Sequence, residues 1–571
     1  MSLLAISRLV ALLAAYLFLL WRWFHDPSAG LGEPRATSLA GPVVAFAVLA
    51  AFSVRGHRNA LAGMLAELRA VLRLDARGRA LLALVLLASL LFQLPVMFFP
   101  AGLLHADAAI NGLMGMHIAE GRVAPSFYYG QEFMGTLFSH VLALVFVFTG
   151  PFAAGITLLG WVFYAGFLAG LFFLVCRASG DLVAFGAAAW LALPPALMIT
   201  TLAQSEYAQL LLLATWGLVV VAGAVAGRLP APGWWVVAGA LLGLAFWAHA
   251  IAVVVVAAAA ASAALLLPPR RIAAAGGRAA FGFVLGLAPG LVGWGARFGS
   301  FVEWFLQGGG REGDATLGGA LTGMARVSLG NLLAGSESRE LLPGSVGWPL
   351  LALVVASALV VVVDAVRARV AGAPDARARA AYGLPLGLFV LLQLAVLVGR
   401  GYTVIPSQYV VPLYLGVPAV VAMAADTLLG RRQRAGLLVA AAMLAAAGVP
   451  LPGTIAFLGG LPDNQASMNA SLGALHAAGV DACRGPYWDA YRISFLTREA
   501  ILCESSDVVR VPGYGERVSA RVAARGSRAA AFVAAPQRRD ALQVYQYNLE
   551  AAGIGWVRLS TPRFEALLPR R

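Results

Sequence analysis

A chain of 571 residues with 60% hydrophobic and only 12% charged side chains, at a mean hydropathy of +0.81, does not have the composition of a soluble domain. Soluble domains run near half apolar and about a quarter charged, so soluble enzyme and disordered tail are excluded as descriptions of the whole, and three cysteines are too few for a disulfide scaffold. The net charge of +14 would suggest nucleic acid in a soluble protein, but the 41 basic residues are all arginine and sit mostly in short loops between apolar runs, which is membrane topology.

Taken in chain order, residues 3–21 form an apolar run with no small-residue cleavage site after it, followed by the interfacial anchor Trp21, Arg22 and Trp23, so a retained helix is expected. Further apolar runs of helical length occupy 39–54, 80–99, 153–176, 182–199, 206–226, 234–249, 250–267, 279–298, 346–366, 381–399, 405–425 and 435–457, for about 13 spans. The stretch 234–267 is too long for one crossing of a core about 30 Å thick and too short for two with a generous loop, which predicts a tight turn near His249. Residues 136–149 are shorter, carry His140 and follow a polar loop, and are expected to lie along the membrane surface.

Arginine counting orients these spans. Loops 55–79, 177–181, 227–233, 268–278, 367–380 and 426–434 hold 18 Arg in 71 residues, whereas 22–38, 100–135, 200–205, 299–345 and 400–404 hold 7 in 111. The positive-inside bias makes the first set cytoplasmic, with the N-terminus, and directs the two long polar loops and the C-terminal region outward. From Pro462 the composition changes: short apolar runs such as Ala530 to Ala535 alternate with helix-like stretches such as Arg538 to Ala552. The expectation is an α-helical polytopic membrane protein with a small extracytoplasmic α/β domain. Its parts are 1–79, two spans and a basic loop; 80–461, the membrane domain with outer loops 100–152 and 299–345; and 462–571, the tail.

No solenoid repeat, inverted symmetry, C-x-x-C or Cys/His ligand spacing is present, and Gly-rich 308–319 has no preceding strand to make it a phosphate-binding fingerprint. Cys176 ends an apolar segment, while Cys483 and Cys503 share the polar tail, either as one bridge in an oxidising compartment or as two unrelated thiols.

Asp107 stands at the membrane surface near the start of a helical pattern, where a carboxylate is either a helix cap or a general base beside a substrate at the bilayer interface. Tyr128, Tyr129, Gln131 and Glu132 follow, aromatics that suit an anchoring belt or a platform for a sugar ring. Glu206, Tyr207, Gln209, Trp247 and His249 fall at span ends directed to the same outer face. Glu206 is alternatively a solvated helix start, and His249 a helix-end ring bonded to a backbone carbonyl. Arg311, Arg326, Arg339 and Arg400 are outer-face guanidiniums, which can grip phosphate oxygens bidentately or serve as ordinary surface charge.

These residues resemble the GT-C class of integral-membrane glycosyltransferases, more narrowly the bacterial family 39-like group of polyprenyl-phosphate-sugar-dependent transferases. The likeness runs from residue 80 to about 500. It rests on Asp107 to Met114 with His117 to Gly121, on Phe127 to Gly135 (F-Y-Y-G-Q-E-F-M-G), on Tyr207 with Gln209, on Trp247 to His249, on Gln408 to Leu413 and on Tyr487 to Leu496. It implies a catalytic acid in the first outer loop, Asp107, and adds Gln408 and Tyr409 to the substrate-binding candidates. It departs where Ala108 replaces a second acid, near Phe138 where a Glu is missing, and at Gln209 and Gln408, where Glu and Arg are frequent. Without the second acid a divalent metal on paired carboxylates lacks support, and a single base is expected; no cofactor is assigned. The implied activity is an inverting sugar transfer from a polyprenyl-phosphate donor to an envelope glycan, lipid or protein acceptor, with membrane lipids and no nucleic acid as partners. The alternatives are a flippase or transporter for a lipid-linked sugar and a catalytically silent partner in envelope assembly.

Overall fold

The computed structural model describes residues 58–202, 206–306, 316–328, 344–401 and 407–570. The expected spans 3–21 and 39–54, together with Arg311 and Arg339, lie outside the described residues.

The membrane part is a helical bundle. Its helices, in chain order, are α1 (Ala76–Phe98), α2 (Ala106–Ala119), α3 (Leu137–Thr149), α4 (Ala153–Ser179), α5 (Asp181–Ala192), α6 (Glu206–Val225), α7 (Gly233–Ala248), α8 (Val253–Leu266), α9 (Pro269–Trp294), α10 (Gly344–Ala371), α11 (Pro374–Gly399), α12 (Val417–Leu428), α13 (Gln433–Gly448) and α14 (Leu451–Gly459). Among the described residues seven helices are long and apolar enough to cross a membrane, or eight if one bent pair counts as a span. The shorter apolar helices are Leu137–Thr149, Asp181–Ala192, Gly233–Ala248 and Ala250–Leu266.

Several runs that hydropathy reads as single spans are broken in the fold, and proline is the cause: it lacks the N–H that a continuous helix needs. The run 182–199 stops after Ala192, ahead of Pro194 and Pro195, and resumes as Ala196–Leu202. The run 405–425 divides into Ser407–Val410, a 3-10 turn Val411–Leu415 containing Pro412, and α12, which has Pro418 in its first turn. The last run bends by 46° between Gln433–Gly448 and Leu451–Ala477, around Pro450 and Pro452. The predicted turn at His249 is present: His249 ends α7 in an extended conformation, and a 3-10 turn, Ala250–Ala252, leads into α8.

Helices α7 and α9 pack with their backbones in contact. A Cβ built on Gly239, Gly243, Gly282 or Gly286 would lie 1.9 to 2.2 Å from a carbonyl oxygen of the opposite helix. Both helices carry the glycine pair at a spacing of four, the small-residue pattern that lets membrane helices approach closely where hydrophobic driving force is weak.

Loops that arginine counting assigns to one face do meet. Arg77 binds Asp181 through two hydrogen bonds of 2.5 and 2.7 Å, Trp234 donates its indole N–H to Glu67 at 2.8 Å, and Arg177 donates to the Val71 and Arg73 carbonyls. Asp364, the acidic residue nearest the middle of a span, is paired with Arg431.

At the other end, helix α15 (Leu461–Ala477) leads into a five-stranded mixed sheet of β1 (Ala482–Gly485), β2 (Leu502–Ser505), β3 (Ala531–Ala534), β4 (Trp556–Ser560) and β5 (Glu565–Pro569) in the order β2-β1-β3-β5-β4. The first three are parallel, joined through α16 (Tyr487–Leu496) and α17 (Tyr514–Ala524); β3, β5 and β4 are antiparallel, reached through α18 (Arg539–Ala551). Met468 and Leu475 of α15 pack with Cys483, Ile493, Val533 and Ala566 in the sheet's core. The same helix seats the tail on the first loop, Gln465 accepting from the Ala101 amide at 3.1 Å.

Cys483 and Cys503 oppose each other in register on β1 and β2, with Cα atoms 4.4 Å apart, and form a disulfide. Alkylation of protein denatured without reductant is therefore expected to label one of the three cysteines, Cys176, and all three after reduction. Three labels without reductant would contradict the bridge. For a closed loop of this size the crosslink is worth roughly 3 kcal/mol.

Candidate active site

The site begins with the helix cap at the start of α2. His105 takes the cap position, extended at φ −100° and ψ 173°, and its Nδ1 accepts from the Ala108 amide at 3.3 Å. The imidazole thus does the work that a carboxylate cap would do. Asp107, in the first turn, is free of the capping role that the sequence left open, and its negative charge suits the positive end of the helix. One of its oxygens accepts from the Tyr487 hydroxyl; the other lies 3.9 Å from His105 Nδ1, and 39% of the side chain is exposed. Among the described residues no arginine pairs with Asp107.

The string from Phe127 to Gly135 forms a compact loop beside it. Phe127 bridges Gly135, Met134 bridges His249, and Gly130 supplies the turn at φ +69°. Tyr128 is buried and donates its hydroxyl to the Asp107 carbonyl at 3.0 Å. The loop is pinned to the close-packed pair: Trp247 of α7 donates to the Ser126 carbonyl at 3.0 Å, Trp294 of α9 to the Glu132 carbonyl at 2.8 Å, and Ser126 to the Pro289 carbonyl at 2.5 Å.

The strongest electrostatic feature is one that sequence reading missed. Glu499, 4% exposed, receives Nε2 of His117 at 2.9 Å, the Tyr514 hydroxyl at 2.7 Å, Arg122 at 2.5 Å and both terminal nitrogens of Arg517 at 3.0 and 2.9 Å. Burial alone would raise the pKa of this carboxyl; the hydrogen bonds from His117, Arg517 and Arg122 and the charge of His117 outweigh it and hold the group well below the usual carboxylate range. Tyr129 joins through His117 Nδ1 at 2.9 Å, and burial together with the Glu499 charge pushes its phenol up. Arg498 and Glu499 both adopt left-handed backbone at φ +50° and +60°, a conformation that costs non-glycine residues energy and persists where surrounding contacts enforce it.

Helix α16 lies along α2 with three contacts in the same order along both segments. Tyr487 meets Asp107, Phe495 fits against Gly112 so closely that a Cβ there would sit 2.5 Å from its ring, and Glu499, just past the helix, meets His117. Tyr487 was legible only as part of the tail block Tyr487 to Leu496; for Glu499 no local pattern points to the role.

The other candidates divide. Tyr207 and His249 come together, ring centroids 5.1 Å apart, with Phe133 at 6.0 Å from His249. His249 Nδ1 accepts from the Ile251 amide at 3.2 Å, a backbone bond as its structural reading anticipates, although to an N–H rather than a carbonyl. Glu132 is paired with Arg297, and Gln131 donates its backbone amide to the Tyr128 carbonyl at 2.9 Å. Gln209 is fully buried in α6, and among the described residues neither end of its amide has a hydrogen-bond partner. Arg326 lies in a π-turn, Met324–Ser328, Arg400 caps the end of α11, and Tyr409 is half-buried in the helical turn Ser407–Val410. The side chains of Glu206 and Gln408 lie outside the described residues. No three His, Cys, Asp or Glu side chains converge among the described residues.

The helical bundle with its small mixed-sheet domain has the GT-C fold, as its likeness to a solved structure shows. The chain superposes on the crystal structure of ArnT from Cupriavidus metallidurans bound to undecaprenyl phosphate with a TM-score of 0.51 and 13% identity, over 86% of this chain and 98% of that one. It also resembles the oligosaccharyltransferase of Archaeoglobus fulgidus tethered with an acceptor peptide, at a TM-score of 0.48 and 12% identity over 86% of this chain and 74% of that one. The chain matches no protein-family model and no curated protein sequence.

Proposed function

We propose that this protein is a membrane hexosyl- or pentosyltransferase that moves a sugar from a polyprenyl-phosphate donor to an envelope glycan, lipid or protein acceptor on the outer face of the bacterial cytoplasmic membrane. The observation that carries the reading is Asp107: a carboxylate relieved of capping, half-open to solvent, at the end of the bundle where the tail domain sits. The shared fold with a protein crystallised with undecaprenyl phosphate supports the carrier class.

In the reaction Asp107 takes the proton of an acceptor hydroxyl while that oxygen bonds to the anomeric carbon. The bond from that carbon to the phosphate oxygen breaks on the opposite side, inverting the centre, and its electron pair leaves with the polyprenyl phosphate. Arg311, Arg326 and Arg400 are the candidates to answer the phosphate charge, and the loop aromatics to hold the sugar. Anchoring the donor's tail among the spans supplies proximity without extracting it from the bilayer.

The test is a product assay on purified protein in nanodiscs and in proteoliposomes. A transferase releases free polyprenyl phosphate in step with glycosylated acceptor. Donor that crosses the proteoliposome membrane with its sugar-phosphate bond intact would instead establish a flippase, and neither product would leave only a silent partner.

A further inference from the structure

We propose that the tail domain completes the catalytic site by supplying Tyr487 as a positioning residue whose hydroxyl holds one oxygen of Asp107 and leaves the other for the acceptor. The proposal rests on the reading of Asp107 as the base and gives the tail a role in that chemistry.

Three observations carry it. The contact is direct: the Tyr487 hydroxyl donates to Asp107 across 380 positions of sequence, from a phenol that is 6% exposed. The donor is itself fixed, since the Asp507 carboxylate accepts from the Tyr487 amide at 2.7 Å and the ring packs edge-on to Tyr491 at 5.4 Å. The helix carrying it is held at its far end by the buried Glu499 cluster, so the hydroxyl is presented by a structure anchored to α2 at both ends. A carboxylate on a surface helix turn otherwise rotates about χ1 and χ2; a single hydrogen bond to one oxygen removes that freedom and places the second oxygen in a defined direction.

His105 from the first loop and Tyr487 from the tail face the Asp107 carboxylate; the Tyr128 hydroxyl bonds the Asp107 main-chain carbonyl and interacts with the Tyr487 hydroxyl, and Arg510 adds positive charge near the phenol. Arg510 also ties the tail to the loop, donating to the Gly130 carbonyl at 2.6 Å. Burial and the neighbouring Asp107 charge push the Tyr487 phenol above its usual range, so it remains a donor across the working pH.

Tyr487→Phe keeps the ring and its packing and deletes the donor. At neutral pH kcat is expected to fall about tenfold while KM for the polyprenyl-phosphate donor holds, the pattern of a lost transition-state contribution. Asp107→Asn and the double variant are measured beside it, and Tyr487→Phe is expected to add nothing in the Asn background. A parental kcat in Tyr487→Phe, a loss carried by KM and not by kcat, or a further loss in the Asn background would overturn the positioning role alone. Transfer at the parental rate by Asp107→Asn would instead remove the base assignment and this proposal with it, so the two failures are read separately.

Discussion

Asp107→Asn is expected to lower sugar transfer by about 10²- to 10⁴-fold, the range that positioned general-base assistance supplies. Asparagine has nearly the same shape, and its amide oxygen can still accept from Tyr487. The helix is capped by His105 and loses only the small dipole contribution of the charge, so the melting temperature should stay within about two degrees of the parent. The substitution thus separates chemistry from folding. The measurement is initial rate in nanodiscs with a polyprenyl-phosphate sugar donor, with thermal unfolding alongside. Transfer at the parental rate would sink the mechanism.

The second large effect is structural. Glu499→Gln removes the anion that two arginines, a histidine and a tyrosine converge on, and leaves Arg122 and Arg517 facing each other without it. Breaking one partner of a fully buried ionic cluster costs about 3–5 kcal/mol; here Arg122 keeps Glu120 and both guanidiniums are partly exposed, which puts the cost at the lower end of that range. The expected result is faster proteolysis of the tail and a melting temperature lowered by several degrees, with the disulfide intact. In the parent, the folded pKa of Glu499 lies below its unfolded value of about 4.3, so its contribution is complete above about pH 5 and is lost as pH falls toward the folded value. The variant should lack that acid-sensitive share of stability, and equal acid sensitivity in both proteins would show that the cluster does not hold the domain.

What could be read from residue order follows the range of the forces involved. Bilayer-length apolar runs and the composition change near Pro462 are local signals, and they anticipated the helical bundle and the tail sheet, including β3 within Ala530 to Ala535. The turn at His249 followed from length alone. Hydropathy windows ran across Pro194, Pro195, Pro412 and Pro450 because they average over the residue that interrupts the helix. Contacts made by folding were out of reach: Tyr487 meets Asp107 and Glu499 meets His117 over separations of 380 and 382 residues, with no spacing rule between them. For the same reason Glu132 looked available when it is held by Arg297; the choice between cap and base at Asp107 was left open, and the neighbouring imidazole takes the cap.

The contact of α7 with α9 has a consequence for how the molecule can move. Four hydrogens stand where four side chains would be, and each lies against the opposite main chain, leaving no interposed groups whose rotamers could change to let the helices slide. The two behave as one stiff post, and the loop carrying Tyr128 and Tyr129 is riveted to its top by Trp247 and Trp294. Any rearrangement beside Asp107 must therefore come from other elements, while this side stays fixed relative to the loop it holds.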